Sequence, residues 1–357
     1  MDAARTLLLR AIGRRVFPAA AAEIGDSSGT RWRDALGTLA FDDTTPATTG
    51  TIFDLASLTK PMATATVVMD LLATGNVDLA EPLTNPFSEW RGGDRETATV
   101  QDLLEHASGL AARLIDPPPP SRREFEHDIC SLPLEYAPRT RSIYSDLGFI
   151  LLGFLAADRG RAPMGELFER IKTRLGTPLL DAADGSIVLG YGIPEGSAQR
   201  TAPTDPLPED IRRGRRLVGE VHDNYAAVLG GLAGHAGLFG TASGVGAFAR
   251  AMLRGARGDE SLQGPFAPAL VRRATQKTTV PGSSRALGWD TMLPTSSCGT
   301  MLSPSAFGHV GFTGTSLWID PPRDRYYVLL TNRVCGGGTE SDIKEVRRAF
   351  HDAVAAE

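Results

Sequence analysis

Ser57-Leu58-Thr59-Lys60 puts a hydroxyl and an amine three residues apart, just ahead of an apolar run. If a helix begins near Ser57, three residues make about one turn, and the two side chains share a face within hydrogen-bonding reach. A serine hydroxyl is a poor nucleophile at neutral pH and needs a neighbouring base. Lysine is that base only where burial or a nearby cation pushes it toward its neutral form. A helix N-terminus adds free backbone N–H groups beside the serine. The same spacing recurs at Ser341-Asp342-Ile343-Lys344. There Glu345, Arg347 and Arg348 crowd it with charge, so the second copy reads as an exposed helix face.

Two more clusters carry polar chemistry. Tyr144-Ser145-Asp146 sets a phenol and a carboxylate two residues apart, as a loop aiming both at one point would. A tyrosinate acts as a base only if cations hold its charge, and Lys60 is one candidate. The structural alternative is a tyrosine anchoring a helix start that Asp146 caps. Gly308-His309-Val310-Gly311-Phe312-Thr313-Gly314-Thr315 places glycines inside a β pattern, which weakens a strand. Close approach of a ligand would explain them; a twisted or bulged edge strand with His309 exposed is the alternative. The N–H of Phe312 and that of Ser57 are candidates for an oxyanion hole.

These clusters need elements to hold them. Ala19 to Ile24 and Thr30 to Leu39 read as strands around Gly25-Asp26-Ser27-Ser28-Gly29. Ser57 to about Thr74 reads as a helix stopped by Gly75-Asn76, with Pro61 tolerable near its first turn. From Val77 to about Asp223 helical periodicity dominates between proline-rich loops, and Leu147 to Asp158 is apolar enough for a buried helix. The glycine-rich stretch from Val228 to Gly246 lacks a phosphate-loop lysine, so tight turns and close backbone approach explain it better. Thr241 or Ser243 can cap a helix through Phe248 to Leu253. Phe307 to Ile319 and Tyr326 to Thr331 read as strands joined by Asp320-Pro321-Pro322-Arg323-Asp324, and Val346 to Ala355 as a closing helix.

The chain has 357 residues, 42% hydrophobic and 22% charged, an ordinary globular composition long enough for two lobes. Its net charge of -5 argues against nucleic-acid binding. No run of 18 apolar residues exists, so no membrane span is expected. Arg5, Arg10, Arg14 and Arg15 break the apolar runs of the first 22 residues, which favours an amphipathic first helix over a secretory signal. With Cys130, Cys298 and Cys335 expected as free thiols, the expectation is a cytoplasmic protein, or a periplasmic one if a leader has been removed. His106, His127, His222, His235, His309 and His351 show no close ligand pair, so neither metal nor cofactor is expected, and His222 and His235 read as structural.

Ser57-Leu58-Thr59-Lys60, Tyr144-Ser145-Asp146 and His309-Val310-Gly311, in that order, resemble the three motifs of the serine β-lactamase and penicillin-binding protein superfamily. The likeness is greatest to its class C branch, with esterase, D-aminopeptidase and DD-carboxypeptidase relatives. Asp102-Leu103-Leu104-Glu105-His106-Ala107-Ser108-Gly109-Leu110 and Gly311-Phe312-Thr313-Gly314-Thr315-Ser316 support it, over about Phe17 to Arg333. The resemblance implies an α+β fold: an antiparallel sheet flanked by helices, from residues 1–76 and 224–357, with a mostly helical lobe from 77–223, together one domain. It implies Ser57 as acylated nucleophile, Lys60 as proton acceptor, Tyr144 as proton shuttle, and the Ser57 and Phe312 N–H groups as oxyanion hole. Asp146, His309 and Gly311 would contact substrate.

Two residues depart from the pattern. Asp146 stands where asparagine is usual; ionised, it only accepts hydrogen bonds, and it would pair with Lys60 or with a substrate ammonium. His309 stands where many relatives carry lysine and titrates near neutral pH. A β-lactam or D-Ala-D-Ala peptide carries a carboxylate that wants a permanent cation, so a carboxylesterase acting on small esters or amides is the leading expectation, with weak β-lactamase activity. The alternatives are a class C β-lactamase, a D-Ala-D-Ala carboxypeptidase or D-aminopeptidase, an acyltransferase, or a non-catalytic ligand-binding homologue. Pocket shape falls to loops such as Ala111 to Glu124 and Gly196 to Glu220.

Overall fold

Alanines open the first strand, β1 (Ala19–Gly25), and all seven of its residues are buried. Side chains alternate across a strand, and here they divide between two cores. Ala19 and Ala21 belong to the large core; Ala20, Ala22 and Ile24 belong to a second one. Burial on both faces requires helices on both faces. The computed structural model, which describes residues 1–114, 117–175 and 187–357, supplies them. Within the loop from Ala111 to Glu124, expected to shape the pocket, Ile115 and Asp116 lie outside the described residues.

Among the described residues the other strands are β2 (Thr30–Gly37), β3 (Phe53–Asp54), β4 (Leu189–Tyr191), β5 (Leu238–Gly240), β6 (Asp290–Thr291), β7 (Phe307–Val310), β8 (Ser316–Asp320) and β9 (Arg325–Thr331). The α-helices among the described residues are α1 (Asp2–Gly13), α2 (Thr66–Ala73), α3 (Val100–Leu104), α4 (Arg122–Ser131), α5 (Asp146–Gly160), α6 (Met164–Lys172), α7 (Asn224–Val228), α8 (Ala242–Ala256), α9 (Pro268–Thr275) and α10 (Glu340–Ala355). The main sheet runs β2-β1-β9-β8-β7-β6, and every neighbouring pair is antiparallel. Helices α1 and α10 pack on one face through Leu8, Ala11, Phe350 and Val354. Helix α8 covers the other through Val245 and Phe248. A smaller sheet, β3-β5-β4, ties the segment before Ser57 to the rest.

Among the described residues between 77 and 223 the α-helices and strands are α3 to α6 and β4. Helix α5 is the pillar of this region: Leu147, Phe149, Ile150, Leu151, Leu152 and Leu155 are all at most 1% exposed. Each such side chain contributes about 1.5–3 kcal/mol when buried, so the first turn of α5, which carries Asp146, has little freedom. Ser145, not Asp146, caps it, accepting from the Gly148 N–H.

Two expectations change. The segment from Ser57 to Thr74 is not one α-helix. It runs as a 3-10 turn over Ala56–Leu58, a π-helical stretch over Lys60–Ala65, and then α2. Pro61 has no N–H to give a tighter ladder, and the Thr66 hydroxyl takes the Pro61 carbonyl instead. Likewise Phe307 to Ile319 is two strands, because Gly311 to Thr315 closes a tight turn through Gly311 N–H to Thr315 O.

Candidate active site

Ser57 is set by backbone strain. Ala56 has φ +47°, a left-handed conformation that costs a residue with a Cβ. Asp54 holds it there: one carboxylate oxygen accepts from the Ala56 N–H at 2.8 Å, the other from the His222 N–H at 2.7 Å. Thr313 and Thr315 tie the turn after β7 to the same segment, donating to Asp54 O and Leu55 O at 2.8 and 3.0 Å. Burial pushes the Asp54 carboxyl up to about 6, against the pull of its two N–H donors. That folded value lies above the unfolded one, so the native state takes up the proton first as pH falls. The group therefore adds stability as pH drops through 6 toward 4. Between pH 7 and pH 5, chemical denaturation is expected to show wild type gaining roughly 1–2 kcal/mol on Asp54→Asn. A gap that stays constant or narrows would refute the assignment.

Ser57 Oγ lies 3.1 Å from Lys60 Nζ and 2.7 Å from the Tyr144 hydroxyl. Lys60 is fully buried. Its Nζ also donates to His235 O at 3.0 Å and meets Asp146 Oδ1 at 2.7 Å, which uses all three ammonium hydrogens. The His235 carbonyl reaches this far in because Gly153 and Gly234 let their backbones touch; a Cβ on Gly153 would stand 2.8 Å from the Gly234 nitrogen. The second Asp146 oxygen pairs with Arg113 at 3.0 Å, Arg113 with Asp223 at 2.8 Å, and Asp223 with His235 at 2.8 Å. Lys60, Asp146, Arg113, Asp223 and His235 thus close a ring.

The ring sets the resting protonation. Burial disfavours the Lys60 charge, but the Asp146 carboxylate, then Tyr144, outweigh it and hold the ammonium above the ordinary lysine value. Burial likewise opposes the Asp146 charge, and the Lys60 ammonium keeps that carboxyl below the usual aspartate range. Burial raises the Tyr144 phenol despite Lys60. At rest the site therefore holds a lysine ammonium and a neutral tyrosine, not the neutral lysine that the sequence argument required.

His309 is 3% exposed and bonds Val310 O through Nδ1 at 2.8 Å. Burial, then the Arg285 and Lys60 charges, push it well below its usual range. It is a neutral imidazole, neither an exposed edge residue nor a cation near neutral pH. The neighbouring glycines also have another cause than a ligand. A Cβ on Gly311 would stand 2.5 Å from Leu55 O, so the strand end crowds the segment that carries Ser57. Arg347, from α10, donates to the Gly311 and Thr315 carbonyls at 2.6 and 2.8 Å. Arg333 grips Phe312 O at 2.6 Å. Gly311 C=O and Phe312 N–H belong to one trans peptide and point opposite ways, so holding the carbonyl fixes the N–H. Among the described residues no backbone partner takes the N–H of Ser57 or Phe312.

A cavity of about 1010 Å³ opens here, lined by Ser57, Tyr144, Asp146, His309, Gly311 and Phe312 among others. Residues the motifs did not reveal line it too: Arg113, Asp223, Arg285 and Arg347, with His222 and His235, which read as structural in the sequence. His222 stacks on the Phe312 ring at 5.6 Å. Ser341 and Lys344, the second copy of the spacing, are exposed on α10 as expected. No described helix is long and apolar enough to cross a membrane.

The chain belongs to the Beta-lactamase family, whose family model matches residues 6–350. It is a serine hydrolase of that family. A protein of Escherichia coli (strain K12) named "Putative D-alanyl-D-alanine carboxypeptidase" is 30% identical over 333 residues, covering 83% of this chain and 72% of that one. The class C beta lactamase from Rhodobacter sphaeroides superposes with a TM-score of 0.74 at 17% identity, over 100% of this chain and 99% of that one. EstCE1, described as a hydrolase with promiscuous acyltransferase activity, gives 0.75 at 16% identity over 98% of both chains.

Proposed function

We propose that Ser57 forms a covalent acyl-enzyme with small esters, and that the protein is of carboxylesterase type. The observation that carries this is the 2.7 Å contact between Asp146 and Lys60, which leaves only a small neutral fraction of lysine to act as base. In this reading Ser57 Oγ attacks the carbonyl while its proton passes to neutral Lys60, directly or through Tyr144. The Ser57 and Phe312 N–H groups stabilise the oxyanion. Tyr144 returns a proton to the leaving group and then activates water. Residues 77–223 form one wall of the site and the sheet-bearing part the other.

A phenolate or activated alkoxide leaves with little help, whereas an amide nitrogen must be protonated as it departs. General acid–base assistance contributes on the order of 100- to 10,000-fold, so a site short of base, in which the serine is seldom deprotonated, acts chiefly on carbonyls activated by a phenolate or similar leaving group. One observation favours a second reading, a D-Ala-D-Ala carboxypeptidase. Lys344 lines the cavity without an ion-pair partner among the described residues, and Arg285, paired only loosely with Asp290 at 4.0 Å, stands beside Tyr144 with its Cζ 5.4 Å from the ring. These cations suit a substrate carboxylate.

The test is kcat/KM for a nitrophenyl butyrate, a chromogenic cephalosporin and a peptide ending in D-Ala-D-Ala. The ester is expected to lead both others by about a hundredfold or more. A peptide turned over as fast as the ester would replace the first reading by the second.

A further inference from the structure

Arg113 touches neither Ser57 nor Tyr144, yet it shares a carboxylate with the residue that must take the serine proton. Its guanidinium is fixed by four partners. It pairs with Asp146 Oδ2 at 3.0 Å and Asp223 Oδ2 at 2.8 Å, donates to Asn224 Oδ1 at 2.7 Å, and lies with Cζ 3.9 Å over the Tyr225 ring. Asp146 is therefore divided: one oxygen serves Lys60 and the other serves Arg113.

We propose that Arg113 is a positioning residue of the acylation step: by holding half of the Asp146 carboxylate it sets how readily Lys60 gives up its proton. The proposal rests on the acyl-enzyme reading above. The charged and titratable groups facing Lys60 and Asp146 are Tyr144 at the start of α5, His106 after α3, His309 on β7, Arg285 before β6, Asp223 at the N-cap of α7 and His235 before β5. Burial pushes His106 and His309 well below their usual range, so both are neutral. Tyr144 is neutral too. That leaves Arg113 as the cation bonded to the same carboxylate as Lys60, and by competing for Asp146 it weakens the hold of that carboxylate on the Lys60 ammonium. Without Arg113, Lys60 holds its proton more tightly and acylation at neutral pH slows.

The experiment uses the full chain and an alkyl fluorophosphonate, with labelling followed by intact mass and mapped to Ser57. In that reaction the Ser57 Oγ–P bond forms, the P–F bond breaks, fluoride leaves, and the serine proton passes to neutral Lys60. Arg113→Met keeps the packing on Tyr225 and removes the charge. It is expected to slow labelling at pH 7 about tenfold, the equivalent of about one pH unit in the lysine. Arg113→Lys is expected to restore most of the rate. In an Asp146→Asn background, where there is no carboxylate to divide, Arg113→Met is expected to change the rate less than about twofold. The same tenfold loss in both backgrounds, or no rescue by Arg113→Lys, would overturn the role of Arg113. Wild type that takes up no label on Ser57 would overturn the acyl-enzyme reading itself, so the two failures are told apart.

Discussion

Ser57→Ala is expected to give a folded protein that neither turns over a nitrophenyl ester nor takes up a fluorophosphonate. The expected loss in kcat is on the order of 10,000- to a million-fold, the range seen where a nucleophile and its base act as one unit. Little stability goes with it. The Tyr144 hydroxyl and Lys60 Nζ each lose one partner, but Lys60 keeps Asp146 and the His235 carbonyl. A change of about 1 kcal/mol is the scale for such a loss in a partly open site. Thermal melts of both proteins, beside initial rates, separate chemistry from folding. Turnover within tenfold of wild type would remove Ser57 from the mechanism.

Lys60→Met has the second largest expected effect, and it acts on rate and on stability. On the proposed mechanism Lys60 accepts the serine proton, so its loss is expected to lower kcat/KM by about 100- to 10,000-fold. The pH profile carries the diagnostic. Lys60 is held above the ordinary lysine value, so wild-type acylation should climb with pH through the neutral and alkaline range as the neutral amine accumulates. That climb should vanish in Lys60→Met. On the stability side, breaking a buried ion pair costs about 3–5 kcal/mol when the partner is stranded. Here Arg113 still pairs with Asp146, so the loss is expected to fall short of that. A variant that keeps the alkaline climb would show that another group takes the serine proton.

The parts of the site that were legible in the sequence are those whose members lie within a few residues of each other. Ser57 and Lys60 are a turn apart, Tyr144 and Asp146 flank one residue, and His309 to Phe312 are contiguous. Local spacing carries that much. The ring is different in kind. Arg113, Asp223 and His235 come from separate segments with no periodicity, and only the fold brings them to Asp146. The faint local signals were Asp223 as the N-cap of α7 and the glycine beside His235 that lets a carbonyl approach Lys60. Protonation was misread for the same reason: the sequence shows a lysine but not the carboxylate that keeps it charged. The sheet was legible because β1, β8 and β9 alternate between two buried faces. The tight turn within Phe307 to Ile319 was not, because glycines and threonines serve equally in a β run and in a turn.

Arg347 gives the order in which the enzyme can be completed during synthesis. The strained turn at Ala56 and the hydroxyl of Ser57 leave the ribosome early. The peptide that presents Phe312 N–H is gripped from α10, by a residue translated long after Ser57. On the proposed mechanism, a nascent chain can therefore expose Ser57 while the Phe312 N–H meant to support the oxyanion is still unanchored. Turnover should begin only once α10 has docked, which spares the half-made protein from reacting with acyl donors around it.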